Sequence, residues 1–172
     1  MAIPGQTISN PITGETLTFL QTAQMTGGAF LEFLLVLKPG SIVPMKHVHT
    51  EQDEIFGVIS GMVNVEVGAK KFVIKPGETI LMKKGIPHRW WNNPETSSEL
   101  NVRFIPAKNT EEFFEEIFAL ASLGKTKNNG APTFMQAAGM CGKYDIYHPW
   151  IPVFLQKTVS RFVNLFDIRK LT

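Results

Sequence analysis

The clearest alternation in the chain runs from Met62 to Val67, where Val63, Val65 and Val67 oppose Asn64 and Glu66. A two-residue period of this kind marks a β-strand with one buried face. Gly68-Ala69 then has the Gly-X form of a two-residue hairpin turn, and Lys71 to Ile74 returns. Short β-like runs also cover Leu17 to Gln21, Glu54 to Ile59, Thr79 to Met82, His88 to Asn92 and Leu100 to Ile105. Ala29 to Leu37 is apolar on both faces apart from Glu32, as expected of a wall with something packed outside it. Lys38-Pro39-Gly40 and Lys75-Pro76-Gly77 are repeated breakers between these runs. Many short strands at close spacing predict an all-β sandwich or barrel. Residues 1–16, punctuated by Pro4, Gly5, Pro11 and Gly14, read as an extended arm and a turn.

The pattern changes at Pro106. Asn109-x-x-Glu112 has the spacing of a capping box, and Phe113, Phe114, Ile117, Phe118 and Ala121 follow at three- and four-residue steps. This predicts an amphipathic helix ending near Gly124, followed by a polar loop from Lys125 to Gly130. A second helix is expected over Thr133 to Met140, stopped by Gly142. A third is expected from about Val153 to Ile168, carrying Phe154, Val159, Phe162, Val163 and Phe166. Helices of this length need packing partners, here the outer face of the β-structure or a second subunit. The chain therefore divides into an arm and barrel over 1–106 and a helical extension over 107–172, expected to form one structural unit.

Composition narrows the class. A chain of 172 residues with 44% hydrophobic and 19% charged residues is long enough for one globular domain with a sizeable core. Net charge is +2 and no Lys/Arg run occurs, which argues against a nucleic-acid partner. The basic residues of the third helix, Lys157, Arg161, Arg169 and Lys170, read as the solvated face of a core-packed helix. No apolar run approaches the ~18 residues of a membrane span. The start, Met1-Ala2-Ile3-Pro4-Gly5, lacks the charged and apolar regions of a signal peptide, so a soluble cytoplasmic protein is expected. Cys141 is the one cysteine, which excludes an intramolecular disulfide. It has no CxxC or His-rich context and reads as a buried or incidental thiol.

Three of the four histidines, His47, His49 and His88, lie in one stretch with Glu54 between them. On a strand, His47 and His49 share a face and aim two imidazoles at one point. A carboxylate after a short turn and a third imidazole from a later strand complete a mixed nitrogen and oxygen shell. Iron, manganese, zinc, nickel and copper accept such a shell. Glu54 otherwise reads as one surface carboxylate of the acidic turn Glu51-Gln52-Asp53-Glu54.

The glycine frame around these residues carries a resemblance. Gly40-(six)-His47-x-His49-(four)-Glu54-(six)-Gly61 resembles the first motif of the cupin superfamily, and Gly77-(seven)-Gly85-x-x-His88-(three)-Asn92 resembles the second. Lys83 stands where the second motif usually has proline. The resemblance covers about residues 15–106. It implies a mainly β fold, a small jelly-roll-like double-stranded β-barrel with its site in the mouth. It also implies one divalent metal ion held by His47, His49, Glu54 and His88. The helical extension, with Glu111-Glu112-Phe113-Phe114 and Leu123-Gly124-Lys125-Thr126, resembles a group of bacterial cupin-domain proteins. Cupins of this size often pair, so a homodimer is expected.

Strand parity supplies a pocket list. Met45 faces inward with His47 and His49, Phe56 and Val58 with Glu54, and Ile86 and Trp90 with His88. Met, Phe and Trp around a metal suit an apolar or aromatic small molecule, although core packing is the better account of Phe56, Val58 and Ile86. Arg103, the one cation on the last predicted strand, clamps a substrate carboxylate if it points inward and is solvent-exposed if it does not. His148, in Tyr147-His148-Pro149-Trp150, reads as structural or surface. Four ligands leave about two positions open on an octahedral ion. The expected function is a mononuclear metalloenzyme, dioxygenase-like ahead of isomerase or decarboxylase. A non-catalytic cupin that binds or senses a small ligand is the alternative.

Overall fold

The computed structural model describes residues 2–41, 45–93 and 95–165. Along the chain run β1 (Thr7–Ser9), β2 (Thr16–Gln21), β3 (Leu31–Leu37), β4 (Asp53–Ser60), β5 (Val63–Val67) and β6 (Lys70–Ile74). They are followed by β7 (Thr79–Met82), β8 (His88–Asn92), β9 (Ser98–Ile105), α1 (Thr110–Ser122), α2 (Phe134–Tyr144) and α3 (Val153–Leu165). The strands form two sheets, one ordered β1-β2-β3-β9-β4-β7 and one ordered β6-β5-β8, with every pairing antiparallel.

The alternation of side chains sorts each strand into a core face and an outer face. Leu31, Phe33, Leu35 and Leu37 of β3 point inward, as do Leu100, Val102 and Phe104 of β9 and Val63 and Val65 of β5. On β4 the buried residues are Glu54, Phe56 and Val58, and on β8 they are His88, Trp90 and Asn92. Polar groups at two strand ends are thus in register with the core. Asn92 ties strand ends together: its amide donates to the carbonyls of Leu37, Lys38 and Thr96, and its oxygen accepts from Ser98 Oγ at 2.7 Å. Gly61 must be glycine, because a Cβ there meets Ser98 Oγ at 2.3 Å and Ser97 O at 2.4 Å, and its φ is +74°.

Most expected strands are present within a residue or two, and β1 is a short strand inside the stretch read as an arm. The hairpin turn falls at Gly68-Ala69, since Val67 pairs with Lys70. Helix ends differ more. Asn109 is the N-cap of α1 but makes no capping bond; its amide donates instead to Lys143 O at 3.4 Å. The start of α1 is held by Gln52, whose amide donates to the carbonyls of Pro106 and Ala107 and to Thr110 Oγ1. The capping box is on α2, where Thr133 and Gln136 exchange hydrogen bonds. Gly142 does not stop α2, which runs on to Tyr144. Glycine is used there for closeness: a Cβ on Gly142 meets Ser160 Oγ of α3 at 2.7 Å. The far end of the third predicted helix, with Phe166, Arg169 and Lys170, lies outside the described residues.

Helices α1 and α2 turn apolar residues to the β-structure, and α3 packs against α2. Phe114 of α1 packs edge-on against Phe33 at 5.1 Å between ring centroids, and Phe113 meets Tyr144 of α2 at 5.5 Å. Burial of each such ring is worth about 1.5–3 kcal/mol. Part of the apolar surface is left outside: Trp150 is 79% exposed and Phe154 of α3 is 68% exposed. No helix among the described residues is long and apolar enough to cross a membrane.

Two stability predictions follow from packing. Gly142→Ala gains about 1 kcal/mol in helix propensity, but overpacking against Ser160 costs about 1–3 kcal/mol. The expected net result is a lower Tm, by roughly 2–4 °C per kcal/mol lost, measured by thermal melting. The second concerns Glu15, buried just before β2 with the parity of Leu17 and Phe19. Burial pushes its carboxyl up to about 7, against the opposing hydrogen bond from Thr13 Oγ1 at 2.6 Å. Between about pH 4.5 and 7 the unfolded chain has lost this proton while the folded chain keeps it, so stability falls as pH rises through that window. The shift corresponds to at most about 3 kcal/mol. Glu15→Gln is expected to gain stability relative to the parent chain between pH 5 and pH 8 in urea denaturation; a constant difference contradicts the assignment.

Candidate metal centre

Four side chains from three parts of the chain converge at one end of the β-structure. Glu54 opens β4 and His88 opens β8, both on the core side. His47 and His49 come from an extended segment that falls short of a full strand. His47 is bridged to His88 and Val48 to Tyr147, each through a reciprocal pair of backbone bonds of 2.8–3.0 Å. The two-residue parity expected of a strand therefore holds, and the His47 and His49 rings lie 5.1 Å apart. One donor atom from each of His47, His49, Glu54 and His88 lies within 4.8 Å of the others, so the four can hold a metal ion. The turn before His88, with Lys83 in place of proline, is held by the bonds Ile86 N–H to Lys83 O and Gly85 N–H to His49 O.

The three imidazoles are oriented alike. His47 Nδ1 lies 3.2 Å from Met45 O, His88 Nδ1 lies 2.9 Å from Ile86 O, and His49 Nδ1 lies 2.8 Å from Asp145 O. A carbonyl accepts only, so each Nδ1 carries the proton and each Nε2 is the nitrogen left for the site. His49 Nε2 is buried with no hydrogen-bond partner. An orphaned lone pair facing a carboxylate and two more imidazoles is what a missing cation leaves. The donor set therefore fits a divalent ion of the kind that takes nitrogen and oxygen ligands.

Electrostatics agree. Burial holds His47 well below the usual imidazole range, reinforced by the neighbouring His88 and His49. Burial also lowers His49, with Glu54 pulling the other way. On His88 burial again opposes charge, but the hydrogen bond from Nε2 to Glu54 Oε2 at 3.0 Å and the carboxylate's charge outweigh it and raise the pKa.

The cluster opens into a cavity of about 570 Å³ whose walls are mostly apolar. Phe33, Phe56, Trp90 and Phe104 line it from the strands, and Phe113 and Phe118 from α1. Phe104 also packs edge-on to His49 at 5.6 Å. Met45, Phe56 and Trp90 of the expected pocket list are on its wall, while Val58 is core and Ile86 is exposed in the turn before β8.

Arg103 is a correction. Val102 and Phe104 take the inner face of β9, which sends Arg103 to the outer one. There it pairs with Glu32 at 3.0 Å and stacks over Phe30, away from the cavity. Cys141 and His148 both reach the cavity wall. Burial raises the Cys141 thiol, which keeps it protonated, and His148 Nδ1 accepts from Trp150 N–H at 3.3 Å. Sequence reasoning missed Glu15 on the cavity wall, which its parity with Leu17 and Phe19 could have flagged, and Asp145, whose carbonyl and carboxylate contacts no sequence pattern marks.

Residues 33–104 match the family model of the cupin domain. The chain is 25% identical over 136 residues to the "Probable oxidoreductase virH" of Hypocrea virens, which covers 73% of this chain and 61% of that protein. It is 28% identical over 117 residues to an oxidoreductase of Arthrobotrys oligospora, covering 62% of this chain and 46% of that one. The chain thus spans only about half to three-fifths of the length of these relatives. Among solved structures, an RmlC-like cupin from Shewanella frigidimarina superposes with a TM-score of 0.53 at 19% identity, covering 64% of this chain and 94% of the other. That likeness carries the fold. Two antiparallel sheets, the family-model match and the motif residues gathered at one end of the sheets identify residues 33–104 as a cupin domain.

Proposed function

We propose that this cupin is a mononuclear metal-dependent oxidoreductase that acts on a small, largely apolar organic molecule. The observation that carries the proposal is the four-donor cluster beside a mostly apolar, aromatic-lined cavity. The names of the two fungal relatives support redox chemistry over isomerisation or decarboxylation. His47, His49, Glu54 and His88 would hold the ion, and His47, His49 and Glu54 also line the cavity. A bound divalent ion supplies a Lewis acid and, for iron, a site for dioxygen. The protein's own part is to aim the Nε2 atoms, to set one negative charge from Glu54 in the shell, and to exclude water with Phe33, Phe56, Trp90 and Phe104. An apolar ring or chain docks against these side chains while a polar group of the same molecule turns to the ion.

The reading includes the helical extension over 107–172 acting with the barrel over 1–106 as one unit, and a homodimer. Exposed Trp150 and Phe154 support pairing through the α3 side. Light scattering is expected to give twice the mass of one chain, and Trp150→Glu to halve it; a parent chain that runs as a monomer removes this element.

The metal reading predicts about one divalent ion per chain by elemental analysis. His49→Ala and His88→Ala are expected to lose the ion while keeping the far-ultraviolet spectrum of the fold. Full occupancy in both variants would sink the ligand assignment. Catalysis is tested with iron-loaded protein, a panel of aromatic and enolisable compounds, and an oxygen electrode. Uptake that depends on one class of compound is expected. Binding without turnover, with iron or with manganese, nickel or zinc, favours the ligand-binding alternative.

A further inference from the structure

Resting on the metal reading above, we infer that the C-terminal extension is part of the metal centre and that Asp145 is the residue that positions His49. Asp145 lies 96 residues from His49 and outside the stretch matched to the cupin domain. Its backbone carbonyl accepts His49 Nδ1–H at 2.8 Å. Its carboxylate accepts Thr50 N–H at 3.0 Å, Glu51 N–H at 2.7 Å and Thr50 O–H at 2.5 Å. One residue thus grips both the ring of the ligand and the backbone that follows it.

The conformation of Asp145 is built for this. It is the C-cap of α2, in the left-handed region at φ 54°, with its own N–H bonded to Cys141 O. Asp and Asn are among the few residues that enter that region without a large cost. Leaving the helix there turns the carbonyl toward His49, and two residues on the chain pairs with the ligand segment through Val48 and Tyr147. Asp145 is buried and its three carboxylate partners all belong to the turn after His49. A clamp on that turn fixes where the ring sits; the carbonyl fixes how it is rotated. Both leave Nε2 aimed at Glu54, 3.9 Å away.

Losing an orienting partner of a ligand histidine typically lowers metal affinity about 10–100-fold. The test titrates metal-free protein with Co(II) and follows affinity and the visible Co(II) absorption. Asp145→Ala is expected to weaken binding by about that factor and to change the spectrum. Asp145→Asn keeps the backbone conformation and one acceptor, and is expected to recover part of the loss. Ser160→Ala is the control: it loosens the α2–α3 contact, lowering Tm without changing the affinity. A second measurement needs no variant. In the metal-free parent chain, nitrogen-15 NMR is expected to show His49 as the Nδ1-protonated tautomer.

Unchanged Co(II) affinity and spectrum in Asp145→Ala overturn the inference. So does an Nε2-protonated His49, or a Ser160→Ala loss of affinity equal to that of Asp145→Ala. If the parent chain itself takes up no Co(II), the metal reading fails and this inference fails with it. A parent that binds while Asp145→Ala binds equally removes the positioning role alone.

Discussion

Everything at the site depends on three imidazoles being denied a choice. A neutral histidine can carry its proton on either nitrogen, and a free ring turns to suit its neighbours. Here a backbone carbonyl meets Nδ1 of His47, His49 and His88 in turn, so the three Nε2 atoms gather beside the Glu54 carboxylate. Two of those carbonyls, Met45 and Ile86, come from two residues upstream of the histidine they fix. Local backbone shape does the orienting there. The third is brought from the far end of the sequence.

That difference explains what was legible in the sequence. The strands carry their own period, so Val63, Val65 and Val67 or Leu100, Val102 and Phe104 announce which side is buried. The motif glycines and histidines are local in the same sense. Arg103 was left open in the sequence, although its neighbours Val102 and Phe104 claim the inner face. The helical part was harder. A glycine reads as a terminator, yet Gly142 sits inside α2 because Ser160 of α3 occupies the space its Cβ needs. Asn109 has the right type and spacing for a cap, but its amide bonds to Lys143 O instead. Both depend on contacts between elements distant in sequence, to which periodicity is blind.

The cavity is a joint product of the two halves. The strands contribute Phe33, Phe56, Trp90 and Phe104, and the helices lay Phe113, Phe114 and Phe118 over them. The superposed cupin accounts for about three-fifths of this chain, and the helices that help line the cavity lie outside the stretch matched to the cupin domain. Fold resemblance therefore says little about what enters.

The pairing of Val48 with Tyr147 also has a consequence for how the molecule is made. Contacts between positions so far apart carry a large loop-closure cost and tend to form late. A ribosome releases the barrel sequence well before residue 145 emerges. Through that interval His47, Glu54 and His88 can gather while the His49 ring still lacks its carbonyl. The docking of the extension comes last, and the carbonyl that orients the His49 ring arrives only with it.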